Sequence, residues 1–315
     1  MNYASNNFDT FGNQPQQVFH EIWRRKNDHN FKLENNQTKL GLIIEGGAMR
    51  AIIGSGYLVA MQELGLNDIF DYIYGTSAGA LGGAYFLSKQ SPYGITIFFE
   101  DVNNSDFISY RSMPPFMNID YLMDVIQNKK RLDVKAVKHH PTNLLITATE
   151  VKSGEVHYFS NHDDNVDLLT ALKASCALPV YYDKPVKING HSYLDGGIVS
   201  SLPVLKAISD GCTHILILMT DGKRRLKRPP IPFWYELWHL RKYGRGFVKD
   251  YYGRQKHFRN ILEVIEGHHP DSQNINIAAL APHDIDLSGH TTDANKLKKA
   301  YQLSYQYAIK LFTRY

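Results

Sequence analysis

Residues 75–79 read Gly75-Thr76-Ser77-Ala78-Gly79, directly after the β-prone run Asp71-Tyr72-Ile73-Tyr74. The small residues Ala80-Leu81-Gly82-Gly83-Ala84 follow and suit a tightly packed helix. A serine between glycines, on a sharp strand-to-helix turn, is how a hydrolase lifts a nucleophilic hydroxyl clear of its own backbone. The flanking Gly75 and Gly79 matter because such a turn is cramped and a Cβ there collides. Taken alone, the five residues also fit an ordinary glycine-rich turn between strand and helix with an idle serine.

A second element lies upstream. Leu40-Gly41-Leu42-Ile43-Ile44 is a continuous apolar run of the kind a fully buried parallel strand needs. It ends in Glu45-Gly46-Gly47-Ala48-Met49-Arg50-Ala51, and an apolar helical stretch comes next. Free N–H groups where a glycine-rich loop opens a helix bind negative charge. An acyl-transfer enzyme needs such donors opposite its nucleophile, because the tetrahedral intermediate carries an oxyanion. A phosphate loop would require Gly-Lys-Ser/Thr, which is absent. A dinucleotide loop would require Gly-x-Gly-x-x-Gly at the strand end, which Gly46-Gly47-Ala48 does not supply. Gly54 and Gly56 fall inside the expected helix and suit close helix packing.

The third element is Asp195-Gly196-Gly197, in Tyr193-Leu194-Asp195-Gly196-Gly197-Ile198, after the short run Pro185-Val186-Lys187-Ile188. Alone it reads as a turn. Three glycine-rich loops, each after a candidate strand, can converge at the carboxyl edge of one parallel sheet. One then supplies N–H donors, one a serine and one a carboxylate.

Elsewhere, strands are expected at Leu144–Thr149, Glu155–Phe159, His214–Met219 and Ile275–Leu280. Helices are expected at Met49–Leu64, Ser77–Lys89, Ile119–Asn128, Val166–Cys176, Pro203–Ser209, Phe247–Glu266 and Asp293–Phe312. This alternation implies a three-layer α/β/α fold, with a mostly parallel central sheet and helices on both faces. In the last helix Leu297, Tyr301, Tyr305, Ala308 and Phe312 recur at helical spacing, as core positions do. The chain divides into a flexible polar arm over 1–39, with one helix around Val18–Trp23, a catalytic domain over 40–222, and a basic, aromatic helical segment with a closing strand and helix over 223–315.

The three motifs, in this order, resemble those of the patatin-like phospholipases. Ala174-Ser175-Cys176-Ala177-Leu178-Pro179 also resembles the segment that precedes the aspartate in that family. The resemblance covers roughly residues 40–220, and the tail resembles the bacterial branch that carries an extra C-terminal region. It implies a serine esterase acting on fatty-acyl esters of lipids, phospholipase A-like, with no cofactor and no metal. Ser77 would be the nucleophile and Asp195 the base that takes its proton directly, with a raised pKa. Gly46, Gly47 and Ala48 would present the oxyanion donors. Arg50 would orient the first loop or meet a lipid phosphate, or simply form a structural salt bridge. Gly75, Gly79, Gly196 and Gly197 would support the turns. The chain departs from the family pattern at Ala48 and Ala51, where glycines are usual. Ala48 keeps its N–H, but a positive φ there would be strained. Two other readings stand beside this one. A Ser-His-Asp esterase would draw its base from His214, His283 or His290. A catalytically inactive protein of the same fold would only associate with membranes.

Composition bounds the reading. A chain of 315 residues with 43% hydrophobic and 21% charged residues can bury a sizeable core. Its two cysteines, Cys176 and Cys212, imply no disulfide framework, and no Cys/His cluster has metal-ligand spacing. No apolar run reaches the ~18 residues needed to span a bilayer. The Asn- and Gln-rich start lacks the charged-then-apolar pattern of a secretory signal. A cytoplasmic protein, peripheral at a membrane, is expected, though export by a route without a cleaved signal stays open. Residues 223–259 hold twelve Lys/Arg against Glu236 and Asp250, interleaved with Phe233, Trp234, Tyr235, Trp238, Tyr243, Phe247, Tyr251 and Tyr252. Basic residues mixed with Trp and Tyr suit an anionic membrane surface, through residues 223–252. The alternative is a helical subdomain with aromatics in its core and charges on its wet face. Nucleic acid is disfavoured, because no nucleic-acid fold accompanies the patch.

Overall fold

A computed structural model describes residues 7–28, 38–109, 116–182, 184–222 and 233–314. Its strands are β1 (Phe8–Phe11), β2 (Leu40–Ile44), β3 (Tyr72–Thr76), β4 (Asn143–Glu150), β5 (Val156–Ser160), β6 (Val186–Ile188), β7 (His191–Asp195), β8 (His214–Leu218) and β9 (Asn276–Pro282). Its helices are α1 (Pro15–Asn27), α2 (Ile52–Glu63), α3 (Ala78–Leu87), α4 (Ser91–Gly94), α5 (Ile119–Asp124), α6 (Val134–His139), α7 (Leu168–Cys176), α8 (Val204–Ser209), α9 (Phe233–Leu240), α10 (Arg245–Ile265) and α11 (Ala294–Phe312).

The strands form one sheet in the order β1-β9-β8-β2-β3-β4-β7-β6, with β5 also on β4. The five strands from β9 to β4 run parallel, and both margins are antiparallel. The expected parallel centre is present. The expectation that all three motif loops leave parallel strands fails at the third. Val186–Ile188 and His191–Asp195 form a hairpin, so β7 runs against β4.

Alternation along the strands sorts the core into two layers. Leu42, Ile44, Leu216 and Leu218 face one side, where α1, α2, α3 and α11 pack. Ile43, Tyr74, Ile215 and Ile217 face the other, against Val204 and Ala207 of α8 and Ile261, Val264 and Ile265 of α10. Every residue of β2 is buried, as its unbroken apolar run requires. Gly56 lets α2 and α11 touch, since a Cβ there would lie 2.1 Å from Ser304 Oγ. Of the final helix's stripe, Leu297, Ala308 and Phe312 are buried, while Tyr301 and Tyr305 sit half-buried at its flank.

The described residues 7–28 are folded where the composition suggests a flexible arm, and the expected helix around Val18–Trp23 is present as part of α1. β1 adds an antiparallel edge to β9, and Phe8 stacks on Tyr307 at 4.9 Å. In α1, Val18, Phe19 and Ile22 are fully buried, one helical stripe hidden among Gln, Arg and Asn. Arg25, 2% exposed, ties the helix down through Glu21 (2.7 Å), Asp71 (2.7 Å) and the carbonyls of Ile69 and Thr38.

Candidate active site

Two strands meet end to end on β4. β3 runs parallel to β4 and finishes with Thr76 opposite Thr147. β7 runs the other way and finishes with Asp195 opposite Ala148, the next residue. The segments that leave these two ends therefore start side by side, although one carries Ser77 and the other Asp195.

Ser77 sits at the turn into α3 with φ 56° and ψ −130°, a conformation that non-glycine residues rarely adopt. The strain holds because the turn is packed tightly. A Cβ at Gly79 would lie 2.3 Å from the Ile44 carbonyl, so only glycine lets α3 start against the end of β2. Across from it, a Cβ at Gly46 would lie 2.8 Å from that of Ser77, so the first loop passes directly over the serine. Gly75 and Gly196 pack just as closely, against Ala80 and the Thr147 backbone.

The N–H groups of Gly46, Gly47 and Ala48 donate to no described residue, while Met49 N–H is held by the Gly289 carbonyl at 3.1 Å. Ala48 has φ 50°. The strain foreseen for an alanine at this place is present, at a cost of roughly 1–2 kcal/mol. The loop is anchored by Glu45, 1% exposed, which accepts the N–H groups of Thr220 (2.8 Å) and Asp221 (3.3 Å). Arg50 pairs with Asp221 at 3.3 Å.

Asp195 is 3% exposed, so its carboxylate is almost wholly withdrawn from water. One carboxylate oxygen accepts Gly197 N–H at 2.7 Å, and its own N–H donates to the Ala177 carbonyl at 3.0 Å. Two residues before Ala177, Ser175 is fully buried at the end of α7. Its hydroxyl accepts Ser77 N–H at 2.8 Å and donates to the Thr147 carbonyl at 2.6 Å. The tripeptide Ser175-Cys176-Ala177 thus holds the backbone of Ser77 with one residue and that of Asp195 with another. Sequence reading picks out this segment by resemblance but gives it no role. Between them, burial and the nearby Asp195 carboxylate push the Cys176 thiol well above its ordinary range, which a hydrogen bond with Ser77 only partly offsets. It stays a neutral thiol.

Ser77, Asp195, Gly46, Gly47, Ala48, Arg50 and Gly197 border one cavity of about 1260 Å³. One part of its wall is apolar, with Leu81, Ile95, Phe98, Phe107, Met117, Leu122 and Ile126. Another is polar, with Asp221, Arg254, Arg259, Asp286 and His290. The candidate histidines separate. His214 stands at the start of β8, at the opposite end of the sheet from Ser77, bonded to Thr213 and Asn276. His283 lines the cavity but lies 3.4 Å from Asp9. His290 also lines it, stacked on Tyr181 at 5.0 Å, and burial with the Arg50 charge pulls its pKa down to about 4. Among the described residues, no group of three His, Cys, Asp or Glu side chains could hold a metal ion.

The basic, aromatic stretch is only partly described. Lys223, Arg224, Arg225, Lys227 and Arg228 lie outside the described residues. In the rest, Tyr243, Phe247 and Tyr251 are buried, whereas Phe233, Trp234, Trp238 and Tyr252 are exposed. No helix of the described residues is long and apolar enough to cross a membrane.

The chain is 25% identical over 188 residues to the uncharacterized protein YjjU of Escherichia coli K12, covering 58% of this chain and 52% of that one. It is 29% identical over 138 residues to mouse 1-acylglycerol-3-phosphate O-acyltransferase Pnpla3, covering 42% and 33%. It is 24% identical over 201 residues to the probable lipid hydrolase 463L of Invertebrate iridescent virus 6, covering 58% and 67%. It thus spans about half the length of the first of these relatives and a third of the second. VipD of Legionella pneumophila aligns over 89% of this chain and 67% of its own, with TM-score 0.41 and 11% identity. The family model for patatin-like phospholipase matches residues 42–208, more than half of the sequence. The chain belongs to the patatin-like phospholipase family.

Proposed function

We propose that the protein is a serine esterase that hydrolyses fatty-acyl esters of lipids through a Ser77–Asp195 dyad. The observation that carries this is the meeting of β3 and β7 on β4, which opens Ser77 and Asp195 onto one cavity. Ser77 Oγ attacks the ester carbonyl, and its proton passes to the Asp195 carboxylate. The proton then goes to the departing alcohol as the C–O bond breaks, leaving an acyl-serine. Water, deprotonated by Asp195, attacks the acyl-serine, and the fatty acid leaves as Ser77 regains its proton. Burial disfavours the charged form of a carboxylate, whereas a donated N–H such as that of Gly197 favours it.

The tetrahedral intermediate is negative at oxygen. The uncommitted N–H groups of Gly46, Gly47 and Ala48 are the donors available to it. The pairing of Arg50 with Asp221 supports a role in holding that loop. The apolar wall suits a fatty-acyl chain, each methylene of which gains about 0.8 kcal/mol on leaving water. The family and the name of the viral relative support the substrate class. Acyl transfer to an alcohol would use the same acyl-serine, an outcome raised by the name of the mouse relative.

The test is release of free fatty acid from phospholipid vesicles and from short soluble esters, by wild type and Ser77→Ala. Release that requires Ser77 supports the proposal. Equal release by the variant overturns it, and product appearing only as a new ester would favour transfer.

A further inference from the structure

We propose that the exposed aromatic and basic face of α9 and α10 docks on an anionic lipid bilayer and sets the α10 wall of the cavity against it. The inference rests on the lipid-esterase reading and adds the surface at which the enzyme meets its substrate.

Six large hydrophobic side chains are exposed among the described residues, and four of them lie on these two helices: Phe233 (56%), Trp234 (70%), Trp238 (67%) and Tyr252 (38%). Trp234 and Trp238 are one turn apart, so they share a face of α9. Two ring clusters make up the patch. Trp234 and Trp238 flank Tyr235, with ring centroids at 5.8 and 6.5 Å, and Phe233 meets Tyr252 of α10 at 5.4 Å. α9 is fixed in this place by Glu236, 7% exposed, whose carboxylate accepts the hydroxyls of Tyr251 and Tyr252.

Charge selects the occupant. Arg241, Lys242, Arg245, Lys249, Lys256 and Arg259 are exposed over the same stretch, while its two acids are a buried Glu236 and a half-buried Asp250. A cationic surface carrying Trp and Tyr complements anionic headgroups, where such rings rest at headgroup depth. Position ties the face to the chemistry. Tyr252 abuts Tyr251 at 5.4 Å, and Tyr251, Arg254 and Phe258 of α10 line the cavity that holds Ser77. A bilayer touching Trp234 and Trp238 therefore lies against the helix that walls the site.

The test is sedimentation with vesicles of phosphatidylcholine alone and of phosphatidylcholine with phosphatidylserine. The full chain is compared with Trp234→Ala/Trp238→Ala and Arg245→Glu/Lys249→Glu. Wild type should prefer the anionic vesicles and release from them as salt rises. Neutralising a basic residue near such a surface weakens binding roughly fivefold, and charge reversal by more. The tryptophan variant should bind both compositions more weakly, with a loss that salt does not remove. Both variants should hydrolyse a short soluble ester at the wild-type rate. Ser77→Ala should bind as wild type, so failure of the esterase reading would appear as binding without hydrolysis. The docking proposal is overturned if wild type shows no preference for anionic vesicles. It is overturned if the tryptophan variant binds normally, or if soluble-ester turnover falls along with binding. It is also overturned if wild type is a dimer that the tryptophan variant dissociates, since a second copy would then cover the face.

Discussion

Thr76 and Asp195 close on consecutive residues of one strand, Thr76 opposite Thr147 and Asp195 opposite Ala148. This abutment makes the separation of Ser77 from Asp195 a property of the β4 backbone rather than of a flexible loop. A ladder fixes register firmly, because a one-residue slip turns every side chain to the wrong face. Under the proposed mechanism, Ser77→Ala and Asp195→Asn should each lower ester hydrolysis by roughly three orders of magnitude or more. The double variant should be little worse than either, as in a unit whose members act together. Near wild-type turnover by folded Asp195→Asn would remove the aspartate from the mechanism.

Ser175→Ala should impair the enzyme without touching substrate. It removes the partner of the part-buried Ser77 N–H and of the buried Thr147 carbonyl, at up to about 1–3 kcal/mol each. The strained Ser77 backbone then loses its tether, so kcat should fall roughly ten- to a hundredfold with KM little changed. Steady-state kinetics beside urea denaturation would separate the two effects. A variant destabilised but fully active would make the tether purely structural.

Ala48→Gly should preserve activity and stabilise the protein. Relief of the positive φ is worth roughly 1–2 kcal/mol, and the extra freedom of glycine in the unfolded chain returns about 0.4–1 kcal/mol of it. A small net gain in the denaturation midpoint is expected. A lower midpoint would mean that the methyl group contributes more than its backbone costs.

Acid should weaken the fold in two stages. His290 holds its pKa at about 4, below its ordinary 6.5, so between these values the unfolded chain binds a proton that the native state refuses. Stability therefore falls as pH drops from 6.5 to 4. Burial pushes the Glu21 carboxyl up, but hydrogen bonds from Arg24, Arg25 and Thr38 outweigh it and hold it at about 2. That contribution is complete above pH 4.5 and is lost between 4.5 and 2. Denaturation midpoints of His290→Asn should show a smaller first stage, the remainder coming from His157, His214 and His257, whose pKa values burial also lowers. The same variant should keep its turnover within about tenfold, since a dyad needs no imidazole. A far larger loss in a folded protein would favour the Ser-His-Asp reading.

Ester preference should track the apolar wall. With about 0.8 kcal/mol per buried methylene, kcat/KM should rise up to roughly fourfold per carbon until the cavity is filled. A homologous series of soluble chromogenic esters measures it. A flat series would mean that the acyl chain lies elsewhere.

The strand-and-loop order of the catalytic half was legible because each motif sits where an apolar run stops. Leu40–Ile44 must be a buried strand, and the glycines after it must form a loop at the sheet edge. The direction of β7 went unread although Asn189-Gly190 is a hairpin turn signal, because only the run before it is recognised as a strand and the turn goes unused. A helix around Val18–Trp23 was legible, but its docking in the core was not, because Val18, Phe19 and Ile22 are few among polar neighbours and composition averages them away. The grip of Ser175 on Ser77 could not be read at all. A hydroxyl that joins an amide to a carbonyl of another element leaves no periodic trace.

The head-on meeting of β3 and β7 also sets an order of assembly. Ser77 emerges early in synthesis, with its loop and helix, but the strand that delivers Asp195 is made much later and pairs with β4 from the opposite direction. A nascent or truncated chain that stops before β7 would carry the serine with no partner to take its proton. Under the proposed chemistry, activity against lipids would begin only with the completed sheet, so the fold itself would serve as the enzyme's safety catch.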